Sequence, residues 1–417
     1  MRIAIVGSGI SGLTSAHLLA PHHDVTVFES DHRPGGHAHT VDVELSDGRV
    51  AVDTGFIVYN ERNYPGFTGL LADLGVSTQP SSMSFSVSDP RRGLEWRPGS
   101  VRSLLAPQVG VSRREVLATL SDIAAFNRRA RSLLTEPGEP SRTLRDLIDD
   151  VRGGERVAQW YLRPMVSAIW SAPLEDALDI PAQTFVRFFE NHGLLAATGR
   201  PAWRTIVGGS RSYVNAISDR LGDRLRLGQG AAKVTRRRDG VEVVSESRGP
   251  EFFDHVIFAT HSDVSLSLLS DPTEAERAVL GDLRYQTNSV VLHTDRSLLP
   301  VARHAWASWN YRVGAGPRGA TVTYHMNRLQ SLATRDEVCI TLNQDEAIDP
   351  ATVLGRYEYA HPMLDAAAIA AQGRYEEISG RSGTWYCGAY WGYGFHEDGV
   401  QSAMRVCRAL GASLVSA

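Results

Sequence analysis

Ile3-Ala4-Ile5-Val6-Gly7-Ser8-Gly9-Ile10-Ser11-Gly12 decides how this chain folds. Four apolar residues in a row predict a parallel strand buried on both faces. A glycine turn follows at once, and Ile10, Leu13, Leu18 and Leu19 then recur as the apolar positions of a helix that ends at Pro21 and His22-His23-Asp24. Val25-Thr26-Val27-Phe28 predicts a second strand closing on Glu29, with Ser30 beside it. In such a unit Gly7 permits the tight turn, Gly9 lets the backbone approach a pyrophosphate, and Gly12 lets helix and strand pack closely. The helix start, Ser8 to Ser11, offers unpaired N–H groups and a partial positive charge to phosphates. The Glu29 carboxylate accepts hydrogen bonds from both ribose hydroxyls and repels a 2′-phosphate, which disfavours NADP. Strand, glycines, helix, strand and acid in that order point to dinucleotide binding.

Bulk properties exclude several alternatives. The 417 residues exceed one ordinary hydrophobic core, so two domains, or one large domain with insertions, are expected. A formal charge of -4 gives no reason to expect nucleic acid as a partner. Cys339, Cys387 and Cys407 are widely spaced and odd in number, which suits a reducing cytoplasm better than a disulfide framework. Met1-Arg2 runs straight into the first strand, so no signal peptide is expected, and no apolar run is long enough to span a bilayer. The expectation is a soluble cytoplasmic protein, or one peripheral to the inner face of the membrane. His37-Ala38-His39 could suggest a metal, but beside a glycine doublet it is better read as part of a ligand turn, and no metal is expected.

That doublet, Gly35-Gly36, comes soon after the acid and predicts a second close approach of backbone to ligand. With GxGxxG, the acid and GG-His37, the chain resembles the flavin amine oxidase superfamily, which includes protoporphyrinogen oxidases and phytoene desaturases. His37 stands where those relatives usually carry arginine. A closer resemblance, running from end to end, is to bacterial predicted NAD/FAD-binding oxidoreductases, through GSGISGL, GGHAHT, VDTGFIVYN and CGAYWGYGFHEDG. Genes of that group often sit beside cyclopropane-fatty-acid-synthase-like genes, and some relatives are implicated in desaturating methyl-branched acyl chains. The resemblance implies FAD as cofactor and an α/β fold, a GR2-type Rossmann-like FAD-binding domain with an inserted α+β substrate domain. It places Asp53-Thr54-Gly55-Phe56-Ile57 near the flavin, Val234 against the adenine, and Ala259-Thr260 in a turn near the cofactor.

Between Asn60 and Val207 helical patterns appear at Pro65–Leu74 and Arg113–Leu134, separated by breaks at Pro98-Gly99 and Pro137-Gly138-Glu139-Pro140. A capped start at Ser141 leads into Leu144, Leu147 and Ile148 at helical spacing. Nucleotide-domain features return with Ile206-Val207-Gly208-Gly209-Ser210, a helix around Tyr213–Leu221, and strands at Ala232-Lys233-Val234 and His255–Thr260. Val290–His293 and Cys339–Leu342 suit a sheet in the substrate domain. The expected cofactor domain is therefore 1–60, 205–265 and 375–417, with 61–204 and 266–374 as substrate domain or cap.

The run Trp385 to Gly399 combines glycines with Trp385, Tyr386, Tyr390, Trp391, Tyr393 and Phe395. Thr384–Cys387 reads as a last strand, Gly388 turns away, and an amphipathic helix starts near Asp398-Gly399. Resemblance puts this helix start, Glu397-Asp398-Gly399-Val400, at the flavin's N1/O2 edge, where backbone N–H groups stabilise negative charge. The four aromatics outside the strand are expected to wall an apolar chamber. His396, Tyr59 and Tyr390 are the candidates for a catalytic base. The expected activity is FAD-dependent hydride transfer from a lipophilic or other small-molecule substrate, as a desaturase or isomerase acting on acyl chains. The alternatives are an amine oxidase using O2 and a non-catalytic FAD-fold binding protein. Amine oxidases of this kind often use a lysine to activate oxygen, whereas the single lysine here, Lys233, falls on the adenine strand.

Overall fold

Alternation along the first strand sets the architecture of the computed structural model, which describes residues 1–91, 93–97, 112–136, 142–170, 178–196, 199, 201–245, 247–314 and 320–413. β1 (Arg2–Val6) turns Ile3 and Ile5 to one face and Ala4 and Val6 to the other, the two-residue period of an extended chain. On one side of it lie β2 (Asp24–Phe28) and then β3 (Leu225–Arg226); on the other lie β4 (His255–Phe258) and then β5 (Thr384–Tyr386). All four pairings are parallel. The sheet thus joins segments hundreds of residues apart, and its strands are apolar because both faces are covered.

The Ile3/Ile5 face carries α1 (Ile10–Leu19), in which every residue but His17 is buried. Around it pack α2 (Pro65–Leu74), α3 (Arg211–Leu221) and α4 (His396–Ala409), sharing one core with Phe67, Tyr213 and Val400. The other face carries an antiparallel meander, Ala231–Arg237, Gly240–Ser245 and Pro250–Phe253. α2 opens on Pro65 in its first turn and stops at Gly75, whose left-handed φ of +67 ends the helix. Its first N–H groups are capped from a distant element. Glu397 accepts from Gly66 N and Phe67 N, both at 2.9 Å.

A second, seven-stranded sheet runs Val353–Pro362, Tyr285–His293, Cys339–Leu342, Ala320–His325, Trp309–Val313, Phe85–Asp89 and Leu94–Trp96. Val290–His293 and Cys339–Leu342 pair within it. Helices Arg113–Ser132, Leu144–Asp149, Arg163–Trp170 and Ala182–Asn191 build a separate core that includes Phe126, Phe185 and Phe189. Between Gly154–Val157 and Arg163, residues Ala158–Leu162 wind as a π-helix.

Local chemistry corrects two boundaries. The cap at the start of Leu144–Asp149 is Thr143, which exchanges hydrogen bonds with Asp146 in a capping box; Ser141 lies outside the described residues, as do the breaks at 98–99 and 137–140. The last helix begins at His396, because Asp398 reaches back to accept from Phe395 N at 2.9 Å, which puts Asp398 and Gly399 inside its first turn.

One buried carboxylate ties the strand Gly48–Asp53 to the start of α3 and to Gln330. Asp53 Oδ1 accepts from Thr40 Oγ1 at 2.5 Å, Ser210 N at 2.9 Å and Ser210 Oγ at 2.8 Å. Its Oδ2 accepts from Gln330 Nε2, and its own N–H donates to Gln330 Oε1, both at 2.9 Å. Asp53→Ala would strand these donors without water, each at about 1–3 kcal/mol. The expected outcome is a loss of about 3 kcal/mol in urea unfolding, with Asp53→Asn losing less because it keeps part of the network.

Candidate active site

A cavity of about 1020 Å³ runs from the glycine turn of β1 into the apolar helices of the second core. Its floor is built by backbones that touch because side chains are missing. A Cβ on Gly12 would lie 1.9 Å from Gly7 O, and one on Gly55 would lie 2.1 Å from His37 O. Gly35, at φ +111, donates its N–H to Ser8 O at 2.9 Å, so the glycine doublet leans on the first turn. A Cβ on Gly36 would lie 3.2 Å from Gly9 Cα.

These residues fit a dinucleotide. Gly9 is the N-cap of α1, no side chain caps that end, and no acid lies in its first turn, so the leading N–H groups are left for an anion. A Cβ on Gly9 would have nothing within 4 Å, and Gly9 lines the cavity; the space above this backbone is an open cradle. Glu29 reaches the same wall from the end of β2. It accepts from Ser8 N at 2.8 Å and Ser8 Oγ at 2.6 Å, which fixes its carboxylate for a ribose.

Of the residues expected at the cofactor, Gly7, Ser8, Gly9, Ile10, Ser11, Glu29, Ser30, Gly35, Gly36, His37, Thr54, Gly55, Phe56, Ile57, Ala259, Thr260 and Gly388 line the cavity. Seven expected site residues lie off its wall. Gly12 is packed beneath the turn. Val234 points into the core between meander and sheet, and Gly230 and Ala231 face the cavity in its place. Glu397 and Asp398 are occupied as backbone acceptors for α2 and Phe395. Gly399 is pressed against Ile10, where a Cβ would meet Cγ2 at 2.7 Å, and Val400 is core. Tyr59, expected as a base, is buried against Tyr64 and Phe67.

The other two candidate bases do reach the wall. His396 stacks on Phe56 at 3.5 Å and shares a hydrogen bond with Tyr213 Oη at 3.1 Å; burial holds it well below the ordinary imidazole range. Tyr390 packs over Gly388, and burial raises its phenol. Tyr393 and Phe395 also line the cavity, whereas Trp391 turns away and packs edge-on to Tyr375 in the meander-side core. Trp391 is therefore scaffold.

Sequence reading missed a histidine cluster on the wall. His37 lies 5.8 Å from His261 and 5.4 Å from His361, ring to ring. His361 Nδ1 lies 3.0 Å from Asn288 Nδ2. That amide is oriented by Asn343 Nδ2, which donates to Asn288 Oδ1 at 2.7 Å, so His361 Nδ1 accepts and Nε2 holds the hydrogen. No motif marks these histidines; they lie far apart in sequence and meet only in the fold. Burial drives His37 down to about 3 and His361 to about 4. Among the described residues no three or more His, Cys, Asp or Glu side chains are placed to hold a metal ion, and no helix there is long and apolar enough to cross a membrane.

A family model described as flavin-containing amine oxidoreductase matches residues 10–323. Amine oxidase [flavin-containing] A of Canis lupus familiaris is 26% identical over 250 residues, 57% of this chain, and the match takes in 45% of that relative's length. Solved structures share the fold. Cyclohexylamine oxidase from Brevibacterium oxydans IH-35A superposes with a TM-score of 0.68 at 16% identity, covering 98% of each chain. A CLA-producing fatty acid isomerase from P. acnes gives 0.68 at 14% identity, also covering 98% of each. Reduced UDP-galactopyranose mutase gives 0.70 at 14% identity, covering 98% of this chain and 95% of that one.

Two outcomes test the site. Gly9→Ala adds a methyl to open space at an unstrained φ of -66, so the protein should keep its melting temperature and lose bound FAD. Gly12→Ala should lose both, read by flavin absorbance after purification. On acidification, the unfolded chain protonates histidines near 6.5 before the folded cavity does. His37, His39, His293 and His361 therefore withdraw stability as pH falls from about 6.5 towards about 4. Asp53 and Asp398, held up at about 6 and about 7, work the other way from those values down to about 4. The histidines should prevail, so urea midpoints should fall between about pH 7 and pH 5.

Proposed function

This chain belongs to the family of flavin-containing amine oxidoreductases, FAD-dependent enzymes, and on that premise we propose that it desaturates or isomerises a long apolar chain of the fatty acyl class. The carrying observation is the half of the cavity remote from the glycine turns. Tyr161, Met165, Ile169, Trp170, Phe188 and Leu194 line it, and the π-helical turn before Arg163 sets the path of the helix that carries Met165 and Ile169. Of the carboxylates on the wall, Glu29 is bonded to Ser8 and Asp31, and Glu358 is exposed to solvent. Neither stands in the apolar half to hold an ammonium group.

Bound FAD supplies an acceptor for a hydride. Ser8 to Ser11 and Glu29 would hold its pyrophosphate and ribose, and His37, Thr54 to Ile57, and Gly388 would line the path of its ring. The chain's own task is then to hold one C–H bond still in a dry chamber. Phe188 does much of this. Its ring packs at 4.7 Å from Trp170, 5.4 Å from Tyr393 and 5.3 Å from Phe395, closing the apolar half against the roof. On the cavity wall nearer the glycine doublet, burial holds the imidazoles of His37, His261 and His361 neutral.

A second reading, amine oxidation by O2, is favoured by the family match and by the aromatic roof. Against it stands Lys233, which is exposed on the outer strand of the meander and absent from the cavity wall. Anaerobic bleaching of the flavin decides between them. Linoleate or oleate should bleach it, or linoleate should gain the ultraviolet absorbance of a conjugated diene if it is isomerised, and cyclohexylamine should not bleach it; bleaching by the amine alone reverses the assignment. Met165→Ala, which removes roughly 2 kcal/mol of apolar contact, should raise KM for the acyl probe roughly thirtyfold with flavin content unchanged.

A further inference from the structure

Helix Ala182–Asn191 ends at His192, whose ring lines the apolar half of the cavity. Its Nδ1 lies 2.9 Å from Phe188 O. A carbonyl oxygen can only accept, so Nδ1 carries the hydrogen. In the neutral ring the lone pair is then fixed on Nε2, and burial favours that neutral ring. Among the described residues no group donates to Nε2.

Aromatic rings flank the imidazole. It stacks on Phe188 at 4.0 Å and 28°, with Trp203 at 6.2 Å and 20° and Phe395 at 6.2 Å. The other wall imidazoles lie elsewhere or are engaged. His37 sits in the glycine-doublet turn and donates from Nε2 to Ala360 O; His261 stacks on Tyr285 at 4.2 Å; His361 accepts from Asn288; His396 shares its Nε2 with Tyr213.

We propose that His192 Nε2 is the base that takes the proton from the substrate. The proposal rests on the hydride-transfer reading above. Desaturation breaks two neighbouring C–H bonds. One hydrogen leaves with its electron pair to the bound flavin, which is the oxidant. The other leaves as a proton to Nε2, and the electron pair of its C–H bond becomes the π bond of the new C=C. His192 becomes an imidazolium, donating from Nδ1 to Phe188 O as before, and later passes its proton to water. The end of a helix, with its partial negative charge, is a favourable place for that transient cation.

The test uses flavin-loaded protein in two measurements. His192→Asn keeps a donor at the Nδ1 position for Phe188 O and removes Nε2; His192→Gln keeps a polar group near Nε2 and removes the base. Both should retain flavin. Nitrogen NMR of histidine-labelled holoprotein, with His192→Asn to assign the signal, should show His192 protonated on Nδ1 and bare on Nε2. A ring protonated on Nε2 overturns the proposal whatever the kinetics. Anaerobic flavin bleaching is then followed with linoleate and, separately, with cyclohexylamine. Both variants should bleach roughly 10²–10⁴ times more slowly than wild type, the range for loss of a general base, with KM nearly unchanged. Bleaching at the wild-type rate, or a rise in KM alone, overturns the proposal. If the amine bleaches the wild-type flavin and linoleate does not, the acyl reading fails and His192 is judged on the amine. If neither probe bleaches it, the desaturation step that the proposal requires is absent and the proposal falls.

Discussion

The Asp53 carboxylate is the constraint on which the rest of the structure depends. It draws donors from residues 13, 157 and 277 positions away and leaves none of them to water. Such a group is costly to bury, and its raised pKa, about 6, shows that the surrounding donors only partly offset the desolvation. Its location explains why the cost is tolerated. Asp53 ends the strand Gly48–Asp53, and Thr54, Gly55 and Phe56 on the cavity wall follow immediately. Fixing Asp53 to the start of α3 on one side and to Gln330 on the other sets where that wall stands relative to those two segments.

The same economy of contact recurs at each glycine turn. Gly7 against Ala259, Gly12 against Gly7, Gly55 against His37 and Gly399 against Ile10 are places where a chain passes with no room for a side chain. Together they bring the first helix, the Asp53 turn and the last helix around one volume. Glu397 adds a directional bond to this packing, capping α2 from α4. The acids at the start of the last helix thus hold the walls in place, and the cavity's chemistry falls to its imidazoles and aromatics.

What was legible in the sequence was what rests on local periodicity. The first strand, glycine turn, helix and second strand could be read from residues 1–29 because apolar alternation and glycine spacing are dictated within a few residues. The strand at 255–258 and the helix at 211–221 were visible for the same reason. Side-chain orientation after a turn was not. Trp391 and Tyr390 are neighbours, yet one packs against Tyr375 and the other faces the cavity, because the short 3₁₀ turn Ala389–Trp391 sends successive side chains in different directions. Nor was the histidine cluster visible, since His37, His261 and His361 become neighbours only when the two sheets meet. Tyr59 was a candidate base close to the Asp53 motif, but its two-residue strand pairs with Trp203 and Arg204 and its ring packs in the core.

The edge position of β5 bears on the order of biosynthesis. Residues 384–386 complete the parallel sheet beside His255–Phe258, and α4 then covers α1. Emerging from the ribosome, the first βαβ unit has its turn formed but lacks the cover over its helix, and it must wait for nearly four hundred further residues before that cover is translated. The cavity, whose wall includes both Gly9 and His396, is therefore complete only once the last helix has been made. Until then α1, buried in the finished fold at every residue but His17, lacks part of its cover and is open to non-native association.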